Sequence, residues 1–98
     1  MAAPDLSIII PVFRAQDTLA RALASIDVPV GLSAEIILSV DDGDDYSAFE
    51  HENQMVRLVT GPEQRTGPGP ARNRGLAAAR GAFLAYLDAD DSWSPGYL

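Results

Sequence analysis

The sequence predicts an α/β fold, a mostly parallel Rossmann-like sheet of about four strands flanked by helices. Two observations support this prediction: short apolar runs alternate with segments of helical period, and the connections between them are short. Parallel strands joined through helices make right-handed crossovers and are buried on both faces, which gives them nearly continuous apolar sequences. With 98 residues, the chain is interpreted as one domain, residues 1–98, or as part of a larger one.

The first strand is predicted over Leu6 to Val12, a run rich in Ile. Pro11 has no N–H to donate to a ladder, so regular pairing is expected to fail there. A helix is predicted from about Asp17, because apolar residues between Leu19 and Ile26 recur at i, i+3, i+4 and i+7. The segment VPVGLS then ends this helix.

The rest of the chain continues the alternation of strands and helices. The predicted elements are a strand over Glu35 to Val40, a short helix over 46–52, a strand over Val56 to Thr60, a helix from about Pro70 to Arg80 and a strand over Phe83 to Leu87. Pro70 suits a first helical turn, and Gly81 suits a helix stop. The segment GPEQRTGPGP, before the last helix, is too rich in Gly and Pro for a regular element.

Charge is distributed unevenly along the chain. The net charge is −7, all seven basic residues are Arg, and half of the acidic residues fall in two clusters, over 41–45 and 88–91. A chain this acidic is not expected to bind nucleic acid through a phosphate-neutralising surface. Concentrated carboxylates favour a hard cation or polar ligand groups, and a solvated acidic face is the plainer alternative.

The predicted topology brings the two acidic clusters together. Doubly wound sheets usually place the first strand between the second and the fourth, and they bind ligands beyond the carboxyl ends of the strands. We therefore expect residues 11–13, 41–42 and 88–90 to lie side by side in one crevice.

Several familiar sites are excluded. The chain has no Cys and no Lys, which excludes disulfides, thiolate metal sites and a P-loop and argues against a receiver-like phosphoacceptor domain. Neither acidic cluster has the spacing of an EF-hand loop, and no glycine-rich dinucleotide fingerprint follows the first strand. The single His, His51, stands in a polar stretch and is interpreted as a surface residue.

These exclusions leave a site made of carboxylates, Arg side chains and backbone groups. Such groups can bind each part of a sugar nucleotide. A base presents N–H donors to one carboxylate, a ribose presents hydroxyls to another, and a diphosphate needs a divalent cation that a carboxylate pair can hold. The charge of that cation, Mn²⁺ or Mg²⁺, would also lower the repulsion among Asp88, Asp90 and Asp91.

Three blocks of sequence carry a family resemblance. They are SIIIPVFRAQDTLARALASI, EIILSVDDGDD and GPGPARNRGLAAARGAFLAYLDADDSWSP, and they span nearly the whole chain. In order and spacing they resemble the first half of a family 2 glycosyltransferase of the GT-A fold. A single D-x-D motif is weak, whereas I-I-P-V-F, V-D-D-G, A-R-N-x-G and L-D-A-D-D-x-W together are highly specific.

The resemblance implies a nucleotide pocket around the ends of the first two strands. Pro11, Val12 and Phe13 would line it, with the main chain contacting base and ribose. Asp42, the second acid of V-D-D-G, would accept a hydrogen bond from the base, and Asp41 would support it.

The resemblance implies further roles in the second half of the chain. Arg72 and Asn73 would reach toward the base or the diphosphate. Asp88 and Asp90 form the D-x-D motif, in which Asp90 would contact the ribose or the metal, and Asp91 would share the metal.

Each assignment has a plainer alternative. Asp41 and Asp42 also suit a turn at Gly43, and Asp91 also suits the N-cap of a helix near Ser94. Asp44 stands where the family usually has Ser or Asn, which leaves the geometry of that loop open.

Three Arg residues outside these assignments are weighed separately. Arg14 is either a ligand or a residue that neutralises local acids. Arg74 and Arg80 are interpreted as solvated helix residues.

The resemblance also implies an activity and its partners. The family transfers a sugar from a nucleotide-diphosphate donor, with a UDP-sugar favoured here, to an acceptor hydroxyl by a single inverting displacement. Its acceptor site, for a sugar or a lipid-linked saccharide, and its catalytic base lie beyond the D-x-D motif. This chain is therefore expected to hold only the donor side of a truncated GT-A domain and to be inactive alone.

Three further expectations follow. Apolar surface beside the fourth strand is expected to be exposed, which makes a homodimer a hypothesis. The chain lacks both cysteine and a basic region ahead of its first apolar run, so we expect a cytoplasmic location, at the inner face of the membrane in a longer protein. The competing functional class is a non-catalytic nucleotide-binding or scaffold module with the same fold.

Overall fold

The strands and helices follow one another in the predicted order. A computed structural model describes residues 3–95 and 97–98. The elements are β1 (Leu6–Val12), α1 (Leu19–Ala24), β2 (Ala34–Val40), α2 (Ser47–Glu52), β3 (Val56–Thr60), α3 (Pro68–Ala78) and β4 (Phe83–Tyr86). Each strand coincides with one of the apolar runs, which confirms the predicted alternation.

The four strands form one parallel sheet in the order β3-β2-β1-β4. β1 lies between β2 and β4, as predicted, and its Ile8 is in register with Ile36 and with Ala85. Both faces of β1 are buried: Ile8 belongs to the core that includes α1, and Ile9 lies under α3. A methyl group added at Gly75 of α3 would lie 2.6 Å from Ile9 Cγ2, so the helix approaches the sheet closely.

The prediction that strand pairing fails at Pro11 is only half right. Pairing of β1 with β2 continues to Val12, whereas the ladder with β4 ends at Ile9. The Val12 carbonyl accepts the Asp41 N–H at 2.9 Å on the β2 side. Because successive residues direct their backbone groups to opposite edges of a strand, Pro11 faces β4. The proline therefore ends only one of the two ladders.

Helix boundaries differ from the predicted ones by about two residues. α1 begins at Leu19 rather than near Asp17, because the preceding residues form a turn in which the Leu19 N–H donates to the Ala15 carbonyl. α3 begins at Pro68 rather than at Pro70. Proline is compatible with both positions, since the N–H groups of a first helical turn have no partner within the helix.

A buried carboxylate at the start of β2 holds the carboxyl end of α3. Glu35 is 5% exposed and accepts hydrogen bonds from the Ser7 hydroxyl at 2.7 Å and the Arg80 backbone N–H at 2.7 Å. The Arg57 guanidinium donates to Glu35 at 2.9 Å and to the Ala78 carbonyl at 2.8 Å. Burial alone would raise the pKa of Glu35, but these hydrogen bonds and the charge of Arg57 lower it from 4.5 to about 2.

β4 forms an edge of the sheet and exposes apolar side chains. Phe83 is 71% exposed, and Leu84 and Tyr86 are also exposed. This observation confirms the expected apolar surface beside the fourth strand. The homodimer hypothesis that was based on this surface stays a prediction.

Candidate functional site

The carboxyl ends of β1, β2 and β4 enclose a pocket of about 480 Å³. Its lining residues come from these strand ends, from the segments before α1 and α3 and from the first turn of α3: Pro11, Val12, Phe13, Arg14, Ala15, Thr18, Asp41, Arg65, Gly67, Pro68, Ala71, Asp88, Ala89 and Asp90. Six of the nine residues predicted to bind the nucleotide sugar are among them. The sheet therefore brings together the three strand ends that the sequence placed side by side.

Asp41, directly after β2, holds the segment that precedes α3. Asp41 is 2% exposed; its Oδ1 accepts the Thr66 N–H at 3.0 Å and the Thr66 hydroxyl at 2.7 Å, and its Oδ2 accepts the Gly67 N–H at 2.9 Å. The Arg74 guanidinium lies 3.7 Å from Oδ1. Burial alone would raise the pKa of Asp41, but these donors hold it below its usual 3.8. Asp41 is therefore ionised at neutral pH.

Asp42 is half-buried and does not line the pocket. Its Oδ2 accepts the Arg14 N–H at 2.6 Å and the Tyr46 hydroxyl at 2.7 Å, and its Oδ1 accepts the Asp44 N–H at 2.9 Å. The turn at Gly43 that was the plainer alternative is thus present. Burial alone would raise the pKa of Asp42, but the Tyr46 hydroxyl and the backbone donors lower it. A backbone N–H makes the contact at Asp44, so a side chain other than Ser or Asn is tolerated there.

Two arginines bring positive charge to the pocket. Arg14 and Arg65 both line it, and both have a positive φ, 52° and 56°. This left-handed conformation costs a non-glycine residue roughly 1 kcal/mol or more unless its surroundings hold it. The Arg14 N–H donates to Asp42 Oδ2, and the Arg65 N–H donates to the Asp41 carbonyl. The Arg14 guanidinium also lies 5.1 Å from the centre of the Phe13 ring.

Asp88 lies between this pocket and a neighbouring depression of about 460 Å³. Its Oδ1 is 3.6 Å from the Arg72 guanidinium. Arg72 and Asp91 line the depression rather than the pocket, together with Tyr86 and Trp93. The A-R-N and D-x-D motifs therefore meet at the boundary between the two cavities.

The other predicted residues of α3 do not line the pocket. Asn73 is exposed and lines neither cavity described above. Arg74, predicted to be solvated, is instead largely buried, and its guanidinium donates to the Val40 carbonyl at 3.1 Å. That prediction is wrong because α3 lies close enough to β2 for Arg74 to reach the end of the strand. Arg80 is largely exposed, but it also contacts Glu35 at 3.3 Å.

The D-x-D carboxylates fit a divalent cation that a substrate helps to hold. Asp88 and Asp90 line one pocket, and within residues 3–95 and 97–98 no three acidic or His side chains form a group that could hold a metal. Mg²⁺ is commonly bound by one or two carboxylates together with substrate phosphates. Residues 91–95 form no helix. The N-cap alternative for Asp91 stays a prediction, because a helix that starts near Ser94 would run through residue 96, which lies outside the described residues.

Sequence reasoning missed Arg65, Thr66 and Gly67. It identified their segment as irregular, which the structure confirms, but composition does not reveal that Asp41 is the partner of this segment. One signal was available: a Thr-Gly pair directly before a helix start often supplies hydrogen bonds that fix the approach to the helix.

The sequence and the fold match known proteins. The profile of the family described as Glycosyl transferase family 2 matches residues 7–98. The succinoglycan biosynthesis protein ExoO of Rhizobium meliloti is 34% identical over 98 residues, which cover 97% of this chain and 28% of ExoO. The UDP-Glc:alpha-D-GlcNAc-diphosphoundecaprenol beta-1,3-glucosyltransferase WfgD of Escherichia coli is 33% identical over 91 residues, 90% of this chain and 36% of WfgD.

Solved structures share the fold. TarS 1-349 of S. aureus in complex with UDP-GlcNAc superposes with a TM-score of 0.75 at 23% identity, over 90% of this chain and 27% of the TarS 1-349 chain. The mannosyltransferase PcManGT of Pyrobaculum calidifontis, in complex with GDP-Man and Mn²⁺, gives a TM-score of 0.73 at 24% identity, over 94% and 29% of the two chains. These likenesses confirm the predicted Rossmann-like GT-A fold. The chain spans about a third of the length of the curated relatives, 28% of ExoO and 36% of WfgD.

Proposed function

This chain belongs to glycosyl transferase family 2, and we propose that it forms the donor-binding part of a glycosyltransferase. The reaction moves a sugar from a nucleotide diphosphate to an acceptor hydroxyl, with inversion at the anomeric carbon and with a divalent cation. The observation that carries this proposal is the pocket that joins Asp41, the first acid of V-D-D-G, to the D-x-D carboxylates.

The nucleotide is placed in this pocket by the ends of β1 and β2. The main chain of residues 11–13 lines one wall, where a ribose and a base find backbone groups. Asp42 does not line the pocket but binds the backbone of Arg14, which does. Its Oδ1 accepts one N–H in the structure, so a lone-pair site is left there for the N–H of a base that extends past the lining. WfgD, whose name specifies UDP-Glc, and TarS, which was solved with UDP-GlcNAc, support a UDP-sugar as the donor.

The phosphates are placed at the D-x-D end of the pocket. Asp88 and Asp90 would hold Mn²⁺ or Mg²⁺, with Asp91 sharing it from the neighbouring depression. Such a cation stabilises the negative charge that develops on the departing diphosphate. The Mn²⁺ in the PcManGT complex supports this choice of cation. Arg72, beside Asp88, and Asn73, one residue further along α3, are proposed to reach toward the donor's base or diphosphate when it binds.

The acceptor and the location are proposed from the relatives. The name of WfgD specifies an acceptor linked to diphosphoundecaprenol, which supports a lipid-linked saccharide as the acceptor here and a cytoplasmic site at the inner face of the membrane. In the described part of the chain, no helix has both the length and the apolar character needed to span a membrane. Nucleic acid is not proposed as a partner, because the chain is acidic.

The remaining part of the proposal concerns what this chain does by itself. We expect it to bind the donor and to transfer no sugar, because it spans only about a third of its curated relatives. A dimer through β4 would double the mass found by light scattering, and a mass equal to one chain at every concentration would exclude it.

The experiment is calorimetric titration of this chain with UDP, in the presence and absence of Mn²⁺. We expect Mn²⁺ to tighten UDP binding about tenfold or more, because the D-x-D carboxylates would hold the cation and its charge would attract the diphosphate. Asp90→Asn should remove this gain and leave the metal-free affinity in place. Asp27→Asn, an exposed acid outside both cavities, is the matched control and should behave as the wild type. A folded chain that binds no UDP under either condition would overturn the proposal.

A further inference from the structure

We infer that Asp41 and Asp42 are positioning residues that hold Arg14 and Arg65 at the pocket, and that these arginines donate to acceptor oxygens of the nucleotide. The inference rests on the proposed function and extends it, because neither arginine belongs to the four short motifs I-I-P-V-F, V-D-D-G, A-R-N-x-G and L-D-A-D-D-x-W. It gives the tandem acids of V-D-D-G a role that does not require direct contact with the ligand.

The first argument is the coincidence of three properties in the same two residues. Among the residues that the structure describes, Arg14 and Arg65 are the two non-glycine residues with positive φ. Both line the pocket. The backbone N–H of each donates to one of two consecutive residues, Arg14 to Asp42 and Arg65 to Asp41. A strained conformation persists only where its surroundings hold it, and here the acids provide that hold.

On one side, Asp41 anchors the segment that carries Arg65. Three donors from Thr66 and Gly67 converge on its carboxylate at 2.7–3.0 Å. The Arg65 N–H bonds to the carbonyl of the same residue, so four hydrogen bonds fix three consecutive residues. Thr66 itself does not line the pocket, which makes it possible to loosen Arg65 without removing a ligand contact.

On the other side, Asp42 and Tyr46 anchor the segment that carries Arg14. The Tyr46 hydroxyl donates to Asp42 Oδ2 at 2.7 Å and accepts the Ala15 N–H at 3.2 Å. Two consecutive backbone N–H groups, those of Arg14 and Ala15, are thereby bound by one acid and one phenol. Tyr46 is 1% exposed and lies outside the pocket lining.

The chemistry of the pocket requires cations at this end. Asp41, Asp88 and Asp90 bring three negative charges to the lining, and a diphosphate would add more. Guanidinium groups are permanently charged, and their N–H groups can donate both to phosphate oxygens, which they match bidentately, and to base carbonyls. Those two oxygen types are distinguished by comparing UDP with uridine, which has the base carbonyls and no phosphate.

The test uses variants of the anchors and of the arginines. Thr66→Val and Tyr46→Phe each remove one anchoring hydroxyl and should weaken UDP binding about fivefold, the net worth of roughly one hydrogen bond. Thr66→Ser keeps the hydroxyl and should restore the wild-type affinity. Thr60→Val and Tyr97→Phe, which change exposed residues outside the pocket, are the matched controls and should stay within about twofold.

The arginine variants separate a ligand contact from a structural role. Arg14→Ala and Arg65→Ala should weaken UDP binding about tenfold each, whereas Arg80→Ala, at the other end of the sheet, should not. Uridine affinity, measured by NMR titration, will fall in parallel if the contacts are to base carbonyls and will stay unchanged if they are to phosphates. Either result supports the inference.

Two outcomes would overturn it. If the anchor variants melt at lower temperature but bind UDP as the wild type does, the acids hold only the fold. If Arg14→Ala and Arg65→Ala bind UDP as tightly as the wild type, the arginines are not ligand contacts. Failure of the wild-type chain to bind UDP would be recognisably different, because it would refute the proposed function itself.

Discussion

Each end of β2 has a buried carboxylate that accepts backbone hydrogen bonds, but the two carboxylates have different roles. Glu35 at the amino end and Asp41 at the carboxyl end are both buried carboxylates. Glu35 accepts the N–H of Arg80 just after α3, and Asp41 accepts the N–H groups of Thr66 and Gly67 just before it. Hydrogen bonds to these two carboxylates therefore hold both ends of α3 to β2.

The difference between the two ends lies in what surrounds each acid. Arg57 pairs with Glu35 at 2.9 Å and the Arg80 guanidinium approaches it at 3.3 Å, and a hydroxyl and a backbone N–H also donate to it. We call this the closed end because two cations surround the carboxylate, although it also lines a depression of about 440 Å³. At the carboxyl end the acid faces an open pocket, and the neighbouring backbone at Arg65 is held in a left-handed conformation. The comparison teaches that a buried carboxylate secures the fold where cations close it in. It shapes a site where the backbone that it holds is kept in a left-handed conformation beside a cavity.

The largest loss of unfolding free energy should come from disrupting the hydrogen bonds and ion pairs of Glu35 at the closed end. Glu35→Gln removes the charge that pairs with Arg57 and should lower the free energy of unfolding by about 3 kcal/mol, because it leaves a guanidinium without its partner. Chemical denaturation measures this loss, and Glu63→Gln, a change at an exposed residue, is the control. UDP affinity of the folded variant should be unchanged. A loss below about 1 kcal/mol would mean that water replaces the carboxylate at little cost.

The next effect comes from the close approach of Gly81 to β1 at the same end. A methyl group there would lie 2.6 Å from the Ser7 backbone nitrogen, and backbone atoms cannot move aside as a flexible side chain can. Gly81→Ala should therefore cost about 2 kcal/mol of unfolding free energy.

Gly69→Ala is the matched control for this prediction. A methyl group there meets no atom within 4 Å apart from its chain neighbours, but Gly69 precedes Pro70, whose ring disfavours helical backbone at a non-glycine residue. Gly69→Ala should therefore cost some stability, but less than Gly81→Ala. Equal melting temperatures for the two alanine variants would contradict the packing argument.

Lowering the pH should reduce the free energy of unfolding over a defined range, because Glu35 becomes protonated. The pKa of Glu35 is lowered from 4.5 to about 2 on folding, so its contribution is complete above about pH 4.5 and is lost as the pH falls toward 2. Between about pH 6 and pH 3 this one group should cost the wild type about 2 kcal/mol. Denaturation of the wild type and Glu35→Gln at both pH values measures the difference. Identical pH dependence in the two chains would assign the acid sensitivity to other carboxylates.

The smallest stability effect should come from the open end. Arg72 and Asp88 are 3.6 Å apart, and both side chains are exposed, so Arg72→Ala should change the unfolding free energy by less than about 0.5 kcal/mol. UDP affinity should nevertheless fall about tenfold if Arg72 reaches the ligand. If Arg72→Ala lowered the unfolding free energy but left UDP affinity unchanged, this end of the sheet would contribute to stability rather than to binding, contrary to the comparison.

Much of the fold was predictable because its signals are local. Continuous Ile-rich runs identified β1 and β2, helical period identified α1, and a proline suited to a first turn identified α3. The predicted stop at Gly81 is wrong, because α3 ends at Ala78 and Ala79 is already extended. The boundaries moved by one or two residues, as at Pro68, because prolines fit several positions of a first turn equally well. The site was predictable to the level of strand ends, since any parallel sheet brings its carboxyl ends to one edge.

The partners of individual side chains were not predictable. Arg74 looked like any other helix residue, and only the packing of α3 on β2 directs it to the Val40 carbonyl. Arg65 and Thr66 stand in a segment without period, so only the folded chain shows that they meet Asp41.

The sequence by itself determined the order of elements, the central place of β1, the acidic edge of the sheet and the resemblance to family 2 glycosyltransferases. These features depend on residues close together in the chain or on rules that every parallel sheet obeys. The tertiary structure alone decided which acids face protein donors and which face the cavity. That choice depends on contacts between residues about 25 positions apart, such as Asp41 and Thr66, and no local pattern encodes such a contact.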